Sequence, residues 1–97
     1  MSFAGDTVRF VFQIIGQILF LYEIAIIIVI ALSWVNPDPY NPIVRALHSI
    51  TDPVMDRVRG LIPPIGMLDL TPMVIILLIE FIRSIALPHL ANVLIAR

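Results

Sequence analysis

The chain contains no cysteine and no lysine. The first absence excludes disulfides, thiolate metal sites and cysteine nucleophiles, and leaves the redox compartment open. The second leaves all positive side-chain charge to Arg9, Arg45, Arg57, Arg59, Arg83 and Arg97. Histidine is scarce: His48 and His89 stand alone, without the partners that metal ligation needs. Charged residues fill 13% of the 97 positions, against about a quarter in an average soluble domain. The formal net charge is −1, so no basic stripe marks a nucleic-acid surface. There is no Gly-rich phosphate loop, serine–histidine–aspartate set or haem-attachment motif. No catalytic residue, metal site or cofactor site is expected.

What the chain has in abundance is apolar surface. Hydrophobic residues make up 60% of it, and the mean hydropathy is +1.03. A soluble globule of this size buries only about 60–65% of its unfolded surface. Much of the apolar content would then face water, yet the chain is too hydrophobic for disorder. The composition is that of a small all-α integral membrane protein.

The first apolar run, from about Phe10 to Val35, is interrupted only by Glu23. It is long enough to cross a bilayer core with some tilt. A membrane helix is expected over about 8–35, with Asp6 or Thr7 as N-cap. Trp34 and Tyr40 suit a headgroup layer. The run is much longer than a signal-peptide core, which argues against a cleaved leader ending near Ala31-Leu32-Ser33. The second run spans about Leu70 to Ala96. Thr71-Pro72 reads as N-cap and first helical residue, so a helix over about 71–96 is expected, kinked near Pro88.

Six of the eight prolines lie between the runs, in the connecting segment 36–70. Asn36-Pro37-Asp38-Pro39 reads as a rigid turn. Asn41-Pro42 and Asp52-Pro53 each repeat the cap-and-proline start signal. Two short amphipathic helices are therefore expected. Ile43, Val44, Leu47 and Ile50 share one face of the first; Val54, Met55, Val58, Leu61 and Ile62 share one face of the second. Pro63-Pro64 stops the second, and Gly66 permits the turn back. Such short helices need a support, either the membrane interface or the ends of the spans. The predicted fold is a two-helix transmembrane hairpin, with residues 1–97 as one unit and two interfacial helices between the spans.

Ten of the 13 charges fall in tails or the connecting segment. Glu23, Glu80 and Arg83 do not. Ionised groups at bilayer depth cost about 2.5–3.5 kcal/mol on insertion scales, so partners are expected. In an antiparallel hairpin Glu23 and Arg83 sit at matching depth, each 11 residues from the joined end. Glu80 shares a helix face with Arg83 at i,i+3. The expectation is an intramembrane cluster in which Arg83 serves both carboxylates. It acts as a structural clamp, with ion or proton movement and pairing with another protein as the alternatives. Gly16 lies on the Glu23 face, flanked by Phe12, Phe20, Ile27 and Ile30, as a small residue for close approach. Gln13 and Gln17 form a second polar line suited to packing in a homo-oligomer. Arg45, Arg57 and Arg59 are expected at lipid headgroups, on the cytoplasmic side.

The run Tyr40-Asn41-Pro42-Ile43-Val44-Arg45, then Thr51-Asp52-Pro53-Val54, then Arg57 and Arg59, then Leu61-Ile62-Pro63-Pro64-Ile65-Gly66-Met67-Leu68-Asp69-Leu70-Thr71-Pro72, resembles the YggT (YlmG) family. These are small membrane proteins of bacteria and plastids. The positions that carry the resemblance are Asn41, Pro42, Asp52, Pro53, Arg57, Pro63, Pro64, Gly66, Asp69 and Pro72. Some members carry two copies of the unit, where this chain has one. The resemblance implies a hairpin in the bacterial inner membrane and no enzyme. Members are linked to cell division, to ion or osmotic tolerance and to cofactor maturation in a cytochrome complex. The resulting expectation is a non-enzymatic accessory protein that binds other membrane proteins or a larger membrane complex. The alternatives are a homo-oligomeric transport component and an anionic-lipid surface module.

Overall fold

The computed structural model describes residues 2–35, 37–63 and 69–96. Pro64 and Gly66, the expected stop and turn of the connecting segment, lie outside them. Every regular element among the described residues is helical.

The first helix, α1, runs over Phe3–Val35. It begins earlier than the capping signals at Asp6 and Thr7 imply. Ser2 takes the capping role, its Oγ accepting the Gly5 N–H at 3.0 Å. Asp6 sits inside the first turn, where its charge complements the helix dipole. It also pairs with Arg9 at 3.3 Å. The Thr7 hydroxyl donates back to the Phe3 carbonyl at 2.7 Å.

The second helix, α2, is one unbroken element over Pro42–Arg59. Its start is as expected: Asn41 Oδ1 accepts the Ile43 N–H at 2.8 Å, with Pro42 in the first turn. The second expected start, at Asp52-Pro53, does not occur. Asp52 lies mid-helix and bonds His48 Nδ1 at 3.0 Å instead of capping. Pro53 removes one helical donor, the one the Ser49 carbonyl would have received. The next carbonyl, of Ile50, accepts a hydrogen bond from the Tyr22 hydroxyl of α1 at 2.8 Å. A tertiary bond thus supports the helix at the turn the proline weakens.

The third helix, α3 (Thr71–Phe81), passes through a wide π turn (Ile82–Ala86) into α4 (Leu87–Ile95). Thr71 is not the cap but the first helical residue. Asp69 does the capping, its Oδ1 accepting the Thr71 N–H at 3.0 Å. Pro88 does not end the helix. It has no N–H for the Ser84 carbonyl, and the turn before it widens so that Leu87 N–H donates to Ile82, five residues back.

Two helices, Phe3–Val35 and Thr71–Ile95, are long and apolar enough to cross a membrane. They pack antiparallel. Ile75 and Ile79 meet Ile26, Arg83 meets Gly16, and Ile95 lies beside Gly5. The α2 helix packs on both near the end where they join. The core is there: Ile26, Met55, Ile75 and Ile79, flanked by Leu19, Tyr22, Ile30, Val58 and Ile76. The apolar side of α2 and of the two residues past its C-cap divides in two. Val44, Leu47, Met55, Val58 and Ile62 are buried or half-buried, while Ile43, Ile50, Val54 and Leu61 stay exposed. The two five-residue and four-residue faces read from the sequence are therefore each split between the hairpin and the outside.

Candidate functional site

Glu80 and Arg83 form the closest ion pair among the described residues, Oε1 to Nη1 at 2.6 Å. Their i,i+3 spacing on adjoining turns makes it geometrically simple. The second guanidinium contact differs from the sequence expectation. Arg83 Nε donates to the Gly16 carbonyl of α1 at 3.2 Å, and its Cζ lies 4.6 Å from the centre of the Phe20 ring. No Glu23–Arg83 ion pair occurs among the described residues. Glu23 is only 6% exposed, with Glu80 and Arg83 as its charged neighbours, and its Oε1 has no hydrogen-bond partner.

The cause is an offset between the helices. Gly16 lies 19 positions before Val35, whereas Arg83 lies 12 after Thr71. The α1 helix therefore overhangs α3 by about seven residues, or about 10 Å. The matching-depth count assumed that both helices end at one level. With the overhang, Arg83 meets α1 two turns beyond Glu23. Gly16 is not a tight contact: an added Cβ would sit 3.9 Å from Leu87 Cδ1, an ordinary distance. The closer approach is at Gly5, where an added Cβ would meet Ser2 Oγ at 3.1 Å and Ile95 Cγ2 at 3.6 Å.

The second polar assembly holds the end of α2 against the start of α3. Arg59 reaches Asp69 Oδ2 through Nε and Nη2 at 3.0 and 2.9 Å, and Asp56 Oδ1 through Nη1 at 2.9 Å. Arg59 was expected at lipid headgroups, but its guanidinium is taken up by these two carboxylates. Asp69 serves Arg59 and Thr71 together. The Thr71 hydroxyl and N–H, followed by Arg59, hold the Asp69 carboxyl below the usual carboxylate range. Thr71 itself is fully buried.

Arg57, Asp52, Pro53 and Pro63 are exposed. Arg57 makes no ion pair among the described residues. Arg45 is exposed and borders a cavity of about 300 Å3 with Ser33, Pro39 and His48. Asn36, the first residue of the expected Asn36–Pro39 turn, lies outside the described residues; the chain turns at Pro39–Tyr40, with Asp38 Oδ1 accepting the Tyr40 N–H at 3.0 Å and the Asp38 carbonyl accepting the Asn41 N–H at 3.1 Å. Sequence reasoning missed Tyr22 as the link from α1 to α2. Its phenol inside an apolar run was a usable signal, because a buried hydroxyl seeks a partner. The Gly16 carbonyl gave no signal, since every residue carries one.

The described residues thus form an all-helical unit in which two helices are long and apolar enough to cross a membrane and a third packs against both. The chain belongs to the family described as CCB3/YggT, which it matches over residues 8–90. It is 35% identical over 71 residues to the uncharacterized protein PA0392 of Pseudomonas aeruginosa, covering 73% of this chain and 36% of that protein. It is 34% identical over 85 residues to YlmG homolog protein 2, chloroplastic, of Arabidopsis thaliana, covering 86% and 34%. It is 26% identical over 74 residues to the uncharacterized protein YggT of Escherichia coli, covering 76% and 39%. The chain thus spans little more than a third of the length of these relatives. No solved structure matches it.

Proposed function

We propose that the chain is a non-enzymatic accessory unit of the bacterial inner membrane that binds other membrane proteins. The two long helices span as a hairpin, and α2 lies at the bilayer surface on the cytoplasmic side. The observation that carries the reading is the composition of the outer faces of α2. Ile43, Ile50 and Val54, with Leu61 just past the helix end, remain exposed beside a polar side of mixed charge. That side carries Asp52 and Asp56 with Arg45 and Arg59, while Arg57 adjoins Val54 on the apolar stripe, and Arg59 is already neutralised by Asp56 and Asp69. A helix built for anionic lipid has a polar side rich in Lys and Arg. Mixed charge beside an apolar stripe suits a protein partner better. The α2 helix is also held ready by the Tyr22 bond and the Arg59–Asp69 pair, so docking orders little further chain.

The test is purification of the full-length tagged chain in mild detergent, with partners identified by mass spectrometry. A larger complex, lost in the Ile43→Ser, Leu61→Ser double variant, is expected. A monomer with no partner overturns the reading.

A transport role is the second reading, and Glu23 favours it. A buried carboxyl oxygen without a donor, beside Glu80, is a feature of groups that accept a proton or cation. Ion flux in proteoliposomes that is lost in Glu80→Gln would support this reading over the first.

A further inference from the structure

At the end far from α2, α1 and α4 face each other, and among the described residues a groove of about 410 Å3 opens between them. That volume is within the range of about 300–1,000 Å3 usual for small-ligand sites. Its lining is unusual for a membrane-length pair of helices. Arg9, Gln13 and Gln17 come from α1, Asn92 from α4 and Arg83 from the turn before it, with Leu87 among the apolar walls. The amides of Gln13, Gln17 and Asn92 make no hydrogen bond among the described residues. Arg83 uses Nε and Nη1 on Gly16 and Glu80, and its Nη2 has no protein partner among the described residues. Unpaired amides are costly at membrane depth, and here three converge on one groove with two guanidinium groups.

The polar groups are ordered along the helix. Gln13 and Gln17 lie about 6 and 12 Å deeper than Arg9 by helical rise, and Arg83 is level with Gly16. A cation sits at the mouth, Gln13 follows, and Gln17 and a second cation lie together at the floor. We propose that this groove seats one anionic glycerophospholipid. Its phosphate pairs with Arg9, and its ester oxygens accept from the amides and from Arg83 Nη2. A phosphodiester and two esters present only acceptors, which a donor-rich groove requires. A second copy of the chain would bring its own exposed Gln13, Gln17 and Asn92 amides among apolar side chains such as Ile18, Leu21, Leu77 and Phe81, whereas the phospholipid supplies an anion for Arg9 together with acceptors for the amides. The Asp6 pairing does not block the site: it is long at 3.3 Å, both side chains are more than half exposed, and Asp6 is not in the lining.

The full-length protein in detergent is titrated with phosphatidylglycerol, phosphatidylcholine or inorganic phosphate, and adducts are counted by native mass spectrometry. Three variants accompany the wild type. Arg9→Gln removes the mouth cation, Gly16→Leu fills the groove, and Arg45→Gln alters an arginine at the other end. One phosphatidylglycerol per chain is expected, bound about tenfold tighter than phosphatidylcholine. Arg9→Gln should weaken it about fivefold, the worth of one arginine at an anionic surface. Gly16→Leu should abolish it, Arg45→Gln should leave it unchanged, and inorganic phosphate should not displace it. Helical circular dichroism confirms that each variant folds, and Arg9, being exposed, gives a test independent of packing at Gly16.

The proposal is overturned if the two lipids bind alike, or if phosphatidylglycerol binding survives both groove variants. It is also overturned if inorganic phosphate competes at equal concentration, which would indicate a free-anion site. Cross-links through Gln13 to a second chain would show that another copy occupies the groove.

Discussion

The two ends of the helix pair are built differently. At the joined end three helices meet, and Ile26, Met55, Ile75 and Ile79 close into a dry core. At the other end two helices meet, and polar side chains line an open groove. Two helices cannot surround a volume. The third helix lets the sequence bury side chains at one end, and its absence leaves the other end open.

The sharpest way to break this comparison is to delete packing at each end. Ile26 is fully buried, so Ile26→Ala should destabilise the fold by about 2–5 kcal/mol. Ile14→Ala, at an exposed position in the open half, should cost well under half as much. Equal losses, measured by reversible unfolding in mixed micelles, would mean that the two ends are equally packed.

Next in size is the charge cluster. A double-mutant cycle on Glu80 and Arg83 should give a coupling of about 0.5–3 kcal/mol. The same cycle on Glu23 and Arg83 should give a clearly smaller one, because the guanidinium is spent on Glu80 and the Gly16 carbonyl. A Glu23 coupling equal to that of Glu80 would restore the three-residue clamp.

Tyr22→Phe removes the hydroxyl that bonds α1 to α2 and should cost about 0.5–1.5 kcal/mol. Amide exchange near Ile50 and Val54 should rise, while exchange in α4 stays unchanged. Uniform loosening would show that α2 is held by its apolar contacts alone.

The smallest effect is the acid response of Asp69. Its carboxyl is held below the usual range in the fold, so its stabilising contribution is complete above a pH of about 4 and fades as the pH falls below that. Protonation weakens the hold on Thr71 and Arg59. The junction of α2 and α3 should therefore loosen in acid, and this component should be missing in Asp69→Asn. An unchanged acid profile in that variant would remove Asp69 from the junction.

Features set by neighbouring residues were legible in the sequence. Both long helices follow from apolar runs, the Asn41 cap from its side chain and the following proline, and the Glu80–Arg83 pair from its spacing. What escaped was set by distant contacts. Asp52-Pro53 carries the same start signal as Asn41-Pro42, and only the Tyr22 contact distinguishes a supported mid-helix proline from a true start. Arg83 found a main-chain oxygen, which residue type does not announce. The depth comparison failed for a related reason. Periodicity gives position along a helix, but the offset between two helices depends on the segment joining them. Arg59 likewise looked like one more surface arginine until the fold placed Asp69 beside it.

The wide turn at Ile82–Ala86 also acts as a correction of angle. Ile79 and Ala91, both buried, are twelve residues apart. At about 100° per residue an unbroken α-helix would set them about 120° apart around its axis. The π turn takes up roughly one extra residue, which removes most of that difference. Ala91 therefore stays on the side that Ile79 occupies, and α4 keeps its small residue toward α1. Pro88, by disfavouring the narrower turn, fixes the azimuth of the last nine helical residues.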